Sequence, residues 1–244
     1  MLTGKTILVT GGTGAIGSAI CRTLAGYGAD LAFTFLHREK EALELTTEVE
    51  RAGRRCLSAR VDGGDKAGAE AFCATVEQTL GKIDVLVNNL GAAQVMPFAL
   101  IEESDWDEMM RVNLKSAFLF SKAVARGMVR RRAGVILNMG SIAGHRLLEV
   151  PAHYAAAKAG LTGFTLALAK ELSRYRIRVL EITPGLIAGG VGSNVSERQM
   201  NDYIQHCAAG RAGEPKEVAE LVAFAASDRA SYLNAVSLPI HGGI

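Results

Sequence analysis

The sequence predicts an α/β protein: a single domain built on a doubly wound parallel sheet of about seven strands, with helices on both faces. Three observations predict it. Short apolar runs alternate with longer segments of helical period along the whole chain. The first apolar run, KTILVT, passes straight into GGTGAIGSAICRTLAGYG, so a strand meets a glycine-rich turn that opens a helix. The 244 residues also suit one such domain, because a sheet covered on both faces commonly reaches this length around a single core.

Residues 5–10 form the first strand, apolar at successive positions as burial on both faces requires, and the turn after it opens a helix over 15–27. A strand over 30–36, ending in FTFLHREKE, leads to a helix over 39–53, and a strand over 55–61 leads to a helix over 66–80. The strand at 83–88 precedes one long helical pattern over 104–132, and the strand at 134–140 precedes a helix over 152–174. A strand at 177–183, a helix at 215–227 and a strand at 234–240 complete the alternation, with right-handed crossovers throughout. One segment escapes it: from Gly185 to about Arg211 the chain carries LIAGGVGSN and then a polar helical piece. Glycines flanking a movable segment suit a substrate lid over a site at the carboxyl ends of the strands, with a loose surface loop as the competing reading.

The turn after the first strand has the chemistry of a phosphate cradle. Gly11 and Gly12 allow a tight turn and close backbone approach, and Gly17 lets the helix pack near the strand. The free N–H groups of the helix then point where a pyrophosphate would lie. The run Thr10 to Gly17 departs from GxGxxG and fits TGxxx(A/G)xG, with Gly11, Ala15 and Gly17 at the fixed positions.

A second constellation lies in HYAAAKAGLTGF. Tyr154 and Lys158 are four residues apart, which on a helix puts a phenol and an ammonium on one face within reach of a common ligand. A positive neighbour favours the phenolate, so the pair can exchange a proton with a substrate oxygen near neutrality. Ser141, thirteen residues earlier, can offer a hydroxyl to the same oxygen. The plain alternatives are a half-buried tyrosine beside a solvated lysine, and a serine that caps a turn.

With these motifs the chain resembles the short-chain dehydrogenase/reductase family in its single-domain Rossmann form, over nearly its whole length. The resemblance rests on Thr10–Gly17, Asp62, Asn88-Asn89-Leu90-Gly91, Asn113 in RVNLKSAF, Ser141 in NMGSIAG, Tyr154 and Lys158, Pro184-Gly185 and Gly242-Gly243. It implies an NAD(P)-dependent oxidoreductase acting on ketone and alcohol groups. By that resemblance Tyr154 is the acid in reduction, Lys158 holds its pKa down and binds the nicotinamide ribose, and Ser141 binds the carbonyl oxygen. Asn113 anchors a water that relays protons toward the lysine. The cofactor lies along Gly11, Thr13, Gly14, Ala15, Ile16 and Gly17, with Asp62 at the adenine, and Asn89 and Gly91 along the adenosine ribose. Pro184, Gly185 and the backbone of Ile187 sit at the carboxamide. The sequence departs from the family at Leu90, where alanine is usual, and at Leu186–Gly190, which lacks the threonine that often follows Pro-Gly.

A ribose 2′-hydroxyl is read by a carboxylate at the end of the second strand, whereas a 2′-phosphate wants a cation. His37 and Arg38 precede the first acid, Glu39, so NADP(H) is expected over NAD(H). The alternative is that Arg38 merely begins the next helix.

Within the family the sequence is most similar to 3-oxoacyl-(acyl-carrier-protein) reductases and related β-ketoacyl reductases, through NNxG, YAAAKAGLTGFT, GRAGEPKEVA and the closing GG. That implies NADPH-dependent reduction of a β-ketoacyl thioester in fatty acid or polyketide biosynthesis. Arg126, Arg130, Arg131 and Arg132 crowd one helix end, expected near the mouth of the site, and Arg174, Arg176 and Arg178 cluster after another. They suit either a helix dipole or an acidic acyl carrier protein. A dehydrogenase of a free small alcohol, sugar or steroid, and a non-catalytic family member, remain as alternatives; the complete set Asn113, Ser141, Tyr154 and Lys158 weighs against the second.

A net charge of +2 is too small to imply nucleic acid, and no run reaches the roughly 18 apolar residues of a membrane span. Cys21, Cys56, Cys73 and Cys207 are scattered without metal-ligand spacing, so reduced thiols and no metal site are expected. With no leader pattern at the amino terminus, the expected location is cytoplasmic. Helices 104–132 and 152–174 are apolar nearly all round, more than one sheet face can cover, and the resemblance implies a homotetramer with two-fold interfaces.

Overall fold

Seven short apolar segments pair side by side because each can be covered from both faces only in a parallel sheet. They are β1 (Thr6–Val9), β2 (Asp30–Phe35), β3 (Cys56–Arg60), β4 (Val85–Asn88), β5 (Gly134–Met139), β6 (Ile177–Pro184) and β7 (Ser237–Ile240). All pairs are parallel, in the order β3-β2-β1-β4-β5-β6-β7. The structure is a computed structural model that describes residues 1–146, 148–189 and 195–244. Eight helices alternate with the strands among them: α1 (Ala15–Gly26), α2 (Glu39–Arg51), α3 (Lys66–Thr79), α4 (Glu103–Met110), α5 (Ser116–Arg131), α6 (Ala152–Leu172), α7 (Glu197–His206) and α8 (Pro215–Ala226).

The period of two along each strand divides the core. Ile7, Val9, Phe33, Val87 and Leu180 pack with α1, α2 and α8 on one face; Leu8, Leu86, Ile136 and Val179 pack with α3, α5 and α6 on the other. The strand order reverses between β1 and β4, and there the loops at the carboxyl ends part into a crevice.

Two boundaries differ from the sequence reading. The long pattern over 104–132 is two helices, α4 and α5, joined through a π-helical turn at Arg111–Lys115. The extra residue in that turn keeps the apolar stripe continuous, which is why the period conceals it. The last strand begins at Ser237, because Ala235 turns the chain with φ 55° while Asn234 accepts the Val179 N–H at 2.8 Å.

The polar helical piece is α7, opened by a reciprocal cap between Ser196 and Gln199. Residues 190–194, the centre of the anticipated lid, lie outside the described residues. Among the described residues no helix is long and apolar enough to cross a membrane.

Candidate active site

The glycine-rich turn is held open by its neighbours. Gly11 has φ +69°, its N–H donates to Thr34 Oγ1 at 3.1 Å, and the Gly12 N–H donates to Thr34 O at 2.8 Å. A Cβ on Gly12 would stand 2.7 Å from the Phe33 ring, and one on Gly17 would run into Gly11 O, so close packing of helix on strand fixes both glycines. Gly14 caps α1 without a side-chain bond, so the first amides of the helix face the crevice. A cradle that a Cβ would fill, at an uncapped helix N-terminus, fits the pyrophosphate of a dinucleotide.

From this turn a cleft of about 1160 Å³ runs to Ser141, Tyr154 and Lys158. Pockets for single drug-sized ligands measure roughly 300–1,000 Å³. The cleft is therefore large enough for a dinucleotide with substrate beside it. His37, Arg38, Asp62, Asn89, Gly91, Pro184, Gly185 and Ile187 all line it, as do Gly11, Thr13, Gly14, Ala15, Ile16 and Gly17 of the turn.

At the far end α6 presents Tyr154 and Lys158 on one face. Lys158 is buried, and its Nζ donates to Met139 O at 2.8 Å and stands 5.7 Å from the centroid of the Tyr154 ring. Burial pulls the Lys158 ammonium down to about 8, opposed by the negative charge of Glu181. Ser141 follows β5, accepts the Ala143 N–H at 3.1 Å, and hydrogen-bonds Tyr154. Asn113 sits in the π-helical turn, where its Nδ2 donates to Ala92 O at 2.9 Å and Met109 O at 3.1 Å, and its Oδ1 accepts from the Ala92 N–H at 3.3 Å. A Cβ on Gly91 would lie 3.0 Å from Asn113 Oδ1 and 3.4 Å from Lys158 Nζ, so Gly91 lets these groups converge.

Several of these groups have partners that the sequence did not disclose. For the Tyr154 phenol, burial outweighs the other influences and pushes it up, with the Ser141 hydrogen bond opposing it. The ammonium lies over the ring face, and its own charge is diminished by burial. The amide nitrogen of Asn89 braces the turn by donating to Thr10 O at 3.0 Å and Gly11 O at 3.1 Å, and the residue lines the cleft. Asp62 Oδ1 is held by Arg111 at 2.6 Å and by the Gly64 N–H at 2.9 Å, which keeps its carboxyl below the usual range. Leu90 lines the cleft, and its side chain fills the space where a Cβ of Gly63 would be.

The arginines are not at the mouth of the site. α5 carries them to the amino ends of the strands, where Arg131 bonds Ile83 O just before β4 and Arg132 bonds Arg174 O at 2.7 Å. The length of α5, roughly 24 Å, separates Arg130, Arg131 and Arg132 from Asn113, with Arg126 about a turn nearer.

Sequence reasoning missed Arg111 and Glu181. Arg111 pairs with Glu108 as well as Asp62 beside the cleft; it opens the RVNLKSAF run two residues before Asn113, but only Asn113 of that run was given a role. Glu181 is fully buried behind Lys158; an acid interrupting the apolar run IRVLEITP is the signal that could have revealed it.

Comparison with known proteins agrees with this geometry. A family model described as short chain dehydrogenase matches residues 5–200. The 3-oxoacyl-(acyl-carrier-protein) reductase of Haemophilus influenzae is 35% identical over 241 residues, covering 99% of this chain and 98% of that protein. The reductase of the same name from Escherichia coli is also 35% identical, over 99% of this chain and 97% of its own. Among solved structures, a short-chain dehydrogenase/reductase from Serratia marcescens superposes with a TM-score of 0.94 at 32% identity, covering 99% and 98% of the two chains. A dehydrogenase/reductase from Sinorhizobium meliloti superposes at 0.92 with 31% identity, covering 99% and 95%. With the cradle, the cleft and the tyrosine–lysine face in one sheet crevice, the chain belongs to the short-chain dehydrogenase/reductase family and is an NAD(P)-dependent oxidoreductase.

Proposed function

We propose that the protein reduces a β-ketoacyl thioester, borne on an acyl carrier protein, to the β-hydroxyacyl form with NADPH. The observation that carries the reaction is the convergence of Ser141, Tyr154, Lys158 and Asn113 at one end of a cleft whose other end is the glycine cradle. The substrate reading is supported by 35% identity to the Haemophilus reductase over nearly both chains. NADPH is favoured because Arg38 is exposed beside the turn, with Nη1 on Thr13 O at 3.2 Å, where a 2′-phosphate would meet a cation.

When bound, the nicotinamide supplies the hydride. Tyr154 gives its proton to the ketone oxygen, and its burial keeps the phenol protonated for that task. Ser141 donates a second hydrogen bond to the same oxygen as charge develops there. Lys158, fixed by Met139 O, binds the ribose hydroxyls and lends positive charge to the phenolate that remains. Because the Asn113 amide nitrogen is engaged by Ala92 and Met109, a relay water is held by its remaining acceptor capacity and by the backbone of the turn.

The carrier is read by charge. Arg126 and Arg130 are exposed and make no ion pair among the described residues. In a homotetramer whose two-fold axis packs α5 and α6 antiparallel against their copies, the arginine end of one protomer comes alongside the site end of the next. The deciding experiment follows NADPH oxidation with β-ketoacyl groups on carrier protein, with short thioester mimics, and with free ketones and sugars, from low to physiological salt. Preferential turnover of the carrier-bound form, weakening with salt, is expected. Faster turnover of free ketones or sugars with no salt response would assign the protein to free substrates.

A further inference from the structure

A polar row crosses the sheet beneath the catalytic helix. In register across four neighbouring strands, Asn88 lies opposite Asn138, Asn138 opposite Glu181, and Glu181 opposite Ser237. Asn88 donates to Asn138 Oδ1 at 2.8 Å, and Asn138 donates to Thr165 Oγ1 at 2.9 Å. Glu181, fully buried, accepts from Thr162 Oγ1 at 2.9 Å through one oxygen and from Ser237 Oγ through the other. Both threonines belong to α6, and Thr162 stands one turn after Lys158, whose carbonyl it also contacts at 3.3 Å.

A carboxylate with no exposure is costly unless charge and hydrogen bonds compensate it. Two hydroxyls supply bonds, and His145 Nε2 stands 3.8 Å away, itself 3.0 Å from Thr162 Oγ1. Lys158 also feels Glu181, whose carboxylate opposes the effect of burial there. Tyr154 also faces Lys158, across the ring contact of 5.7 Å. Room for the carboxylate is made by Gly140, where any Cβ would collide with it, immediately before Ser141.

We propose that Glu181 is a positioning residue: its carboxylate keeps the buried Lys158 ammonium charged, and its bond to Thr162 fixes the turn of α6 that carries Lys158 and Tyr154. This rests on the catalytic reading of Lys158 given above. Near and above pH 8, where burial has weakened the lysine's hold on its proton, the carboxylate decides how much cation remains to bind the ribose and steady the phenolate.

The test is Glu181→Gln, which keeps the shape and removes the charge. Two readouts are taken in the full protein: the pH dependence of kcat/KM for carbonyl reduction, and the titration of Lys158 followed by NMR with lysine labelled at Cε. Losing the negative neighbour favours neutral lysine, so both midpoints move down, by about one pH unit, and kcat/KM above the wild-type midpoint falls about tenfold. A Thr162→Val variant, which leaves the charge in place, lowers kcat while leaving the midpoint unmoved. Unchanged midpoints in Glu181→Gln would overturn the proposal and leave Glu181 a fold-stabilising residue only. Should Glu181→Gln fail to fold, wild-type kcat in Thr162→Val would overturn the positioning role. The NMR titration needs no substrate: a shifted Lys158 midpoint with no matching shift in activity would keep the hold of Glu181 on Lys158 while refuting the catalytic role of that lysine.

Discussion

Tyr154 sits where burial and the Ser141 bond act in opposite directions, with burial the larger. Removing its hydroxyl deletes the proton donor without touching the ribose contacts of Lys158. Tyr154→Phe is therefore expected to lower kcat by about 10²–10⁴-fold while the Kd for NADPH, from fluorescence titration, stays near wild type. At the other end of the cleft, Arg38→Glu replaces a cation beside Thr13 with a repelling charge. A charge-assisted contact is worth about 1.5–3 kcal/mol, so the ratio of NADPH to NADH affinity should fall by about tenfold to more than a hundredfold. Equal affinities in the wild type would contradict the expected preference. The thiols make a separate prediction. Burial pushes Cys56 up to about 11 and Cys73 up to about 12, and Cys21 higher still. An unfolded chain releases these protons near pH 8.5 and the folded one does not, so this contribution to stability is complete below that pH and is lost as pH rises toward 11–12. Lys158, depressed to about 8, works the other way between pH 8 and its ordinary value, but as one group against three. Urea midpoints should therefore decline from pH 9 to 11.

Helix ends matter because each leaves backbone groups that the sequence must satisfy. α3 begins at Asp65, whose carboxylate accepts from Ala67 N at 3.1 Å and Gly68 N at 3.0 Å. Asp65→Ala should cost about 1 kcal/mol of stability in urea titrations, with kcat untouched, since the cap does not line the cleft. The π-helical turn between α4 and α5 has the opposite balance: it places Asn113 against Ala92 and Gly91 rather than strengthening a helix. Periodicity could not disclose it, because Met109, Ala117 and Phe120 still fall on a buried stripe across the extra residue. The glycine turn was legible for the contrary reason: only glycine fits at Gly12 beside Phe33, so the residue type itself records the close approach.

On the whole molecule, the outer face of α5 and α6 exposes Phe118 and Leu166, with Trp106 of α4 also uncovered; Phe224 of α8 and the fully exposed Tyr232 lie apart from them in the chain. Apolar groups on two such surfaces suit the two interfaces of a two-fold-symmetric tetramer. Light scattering at micromolar concentration should give a mass near four chains of 25.8 kDa, and Phe118→Glu should reduce it to that of a dimer. A monomer in the wild type would refute the assembly, and with it the route by which Arg126 and Arg130 reach a neighbouring site.

The sequence by itself determined the alternation of strands and helices, the glycine cradle and the tyrosine–lysine face, because each follows from local spacing: a period of two or of three to four, a turn that admits no side chain, a one-turn separation on a helix. It also contained Arg38 at the strand end, where the fold puts it beside Thr13. Tertiary structure alone decided what surrounds those groups. Parallel register set Asn138, Glu181 and Ser237 in one row under α6, and the helix between β4 and β5 carried Arg130–Arg132 to the amino ends of the strands. Burial then reversed the expected shift of Tyr154 and brought Lys158 to about 8. Desolvation and charge act through space, between residues whose separation in the chain says nothing of their distance, so their balance is fixed only when the strands have paired.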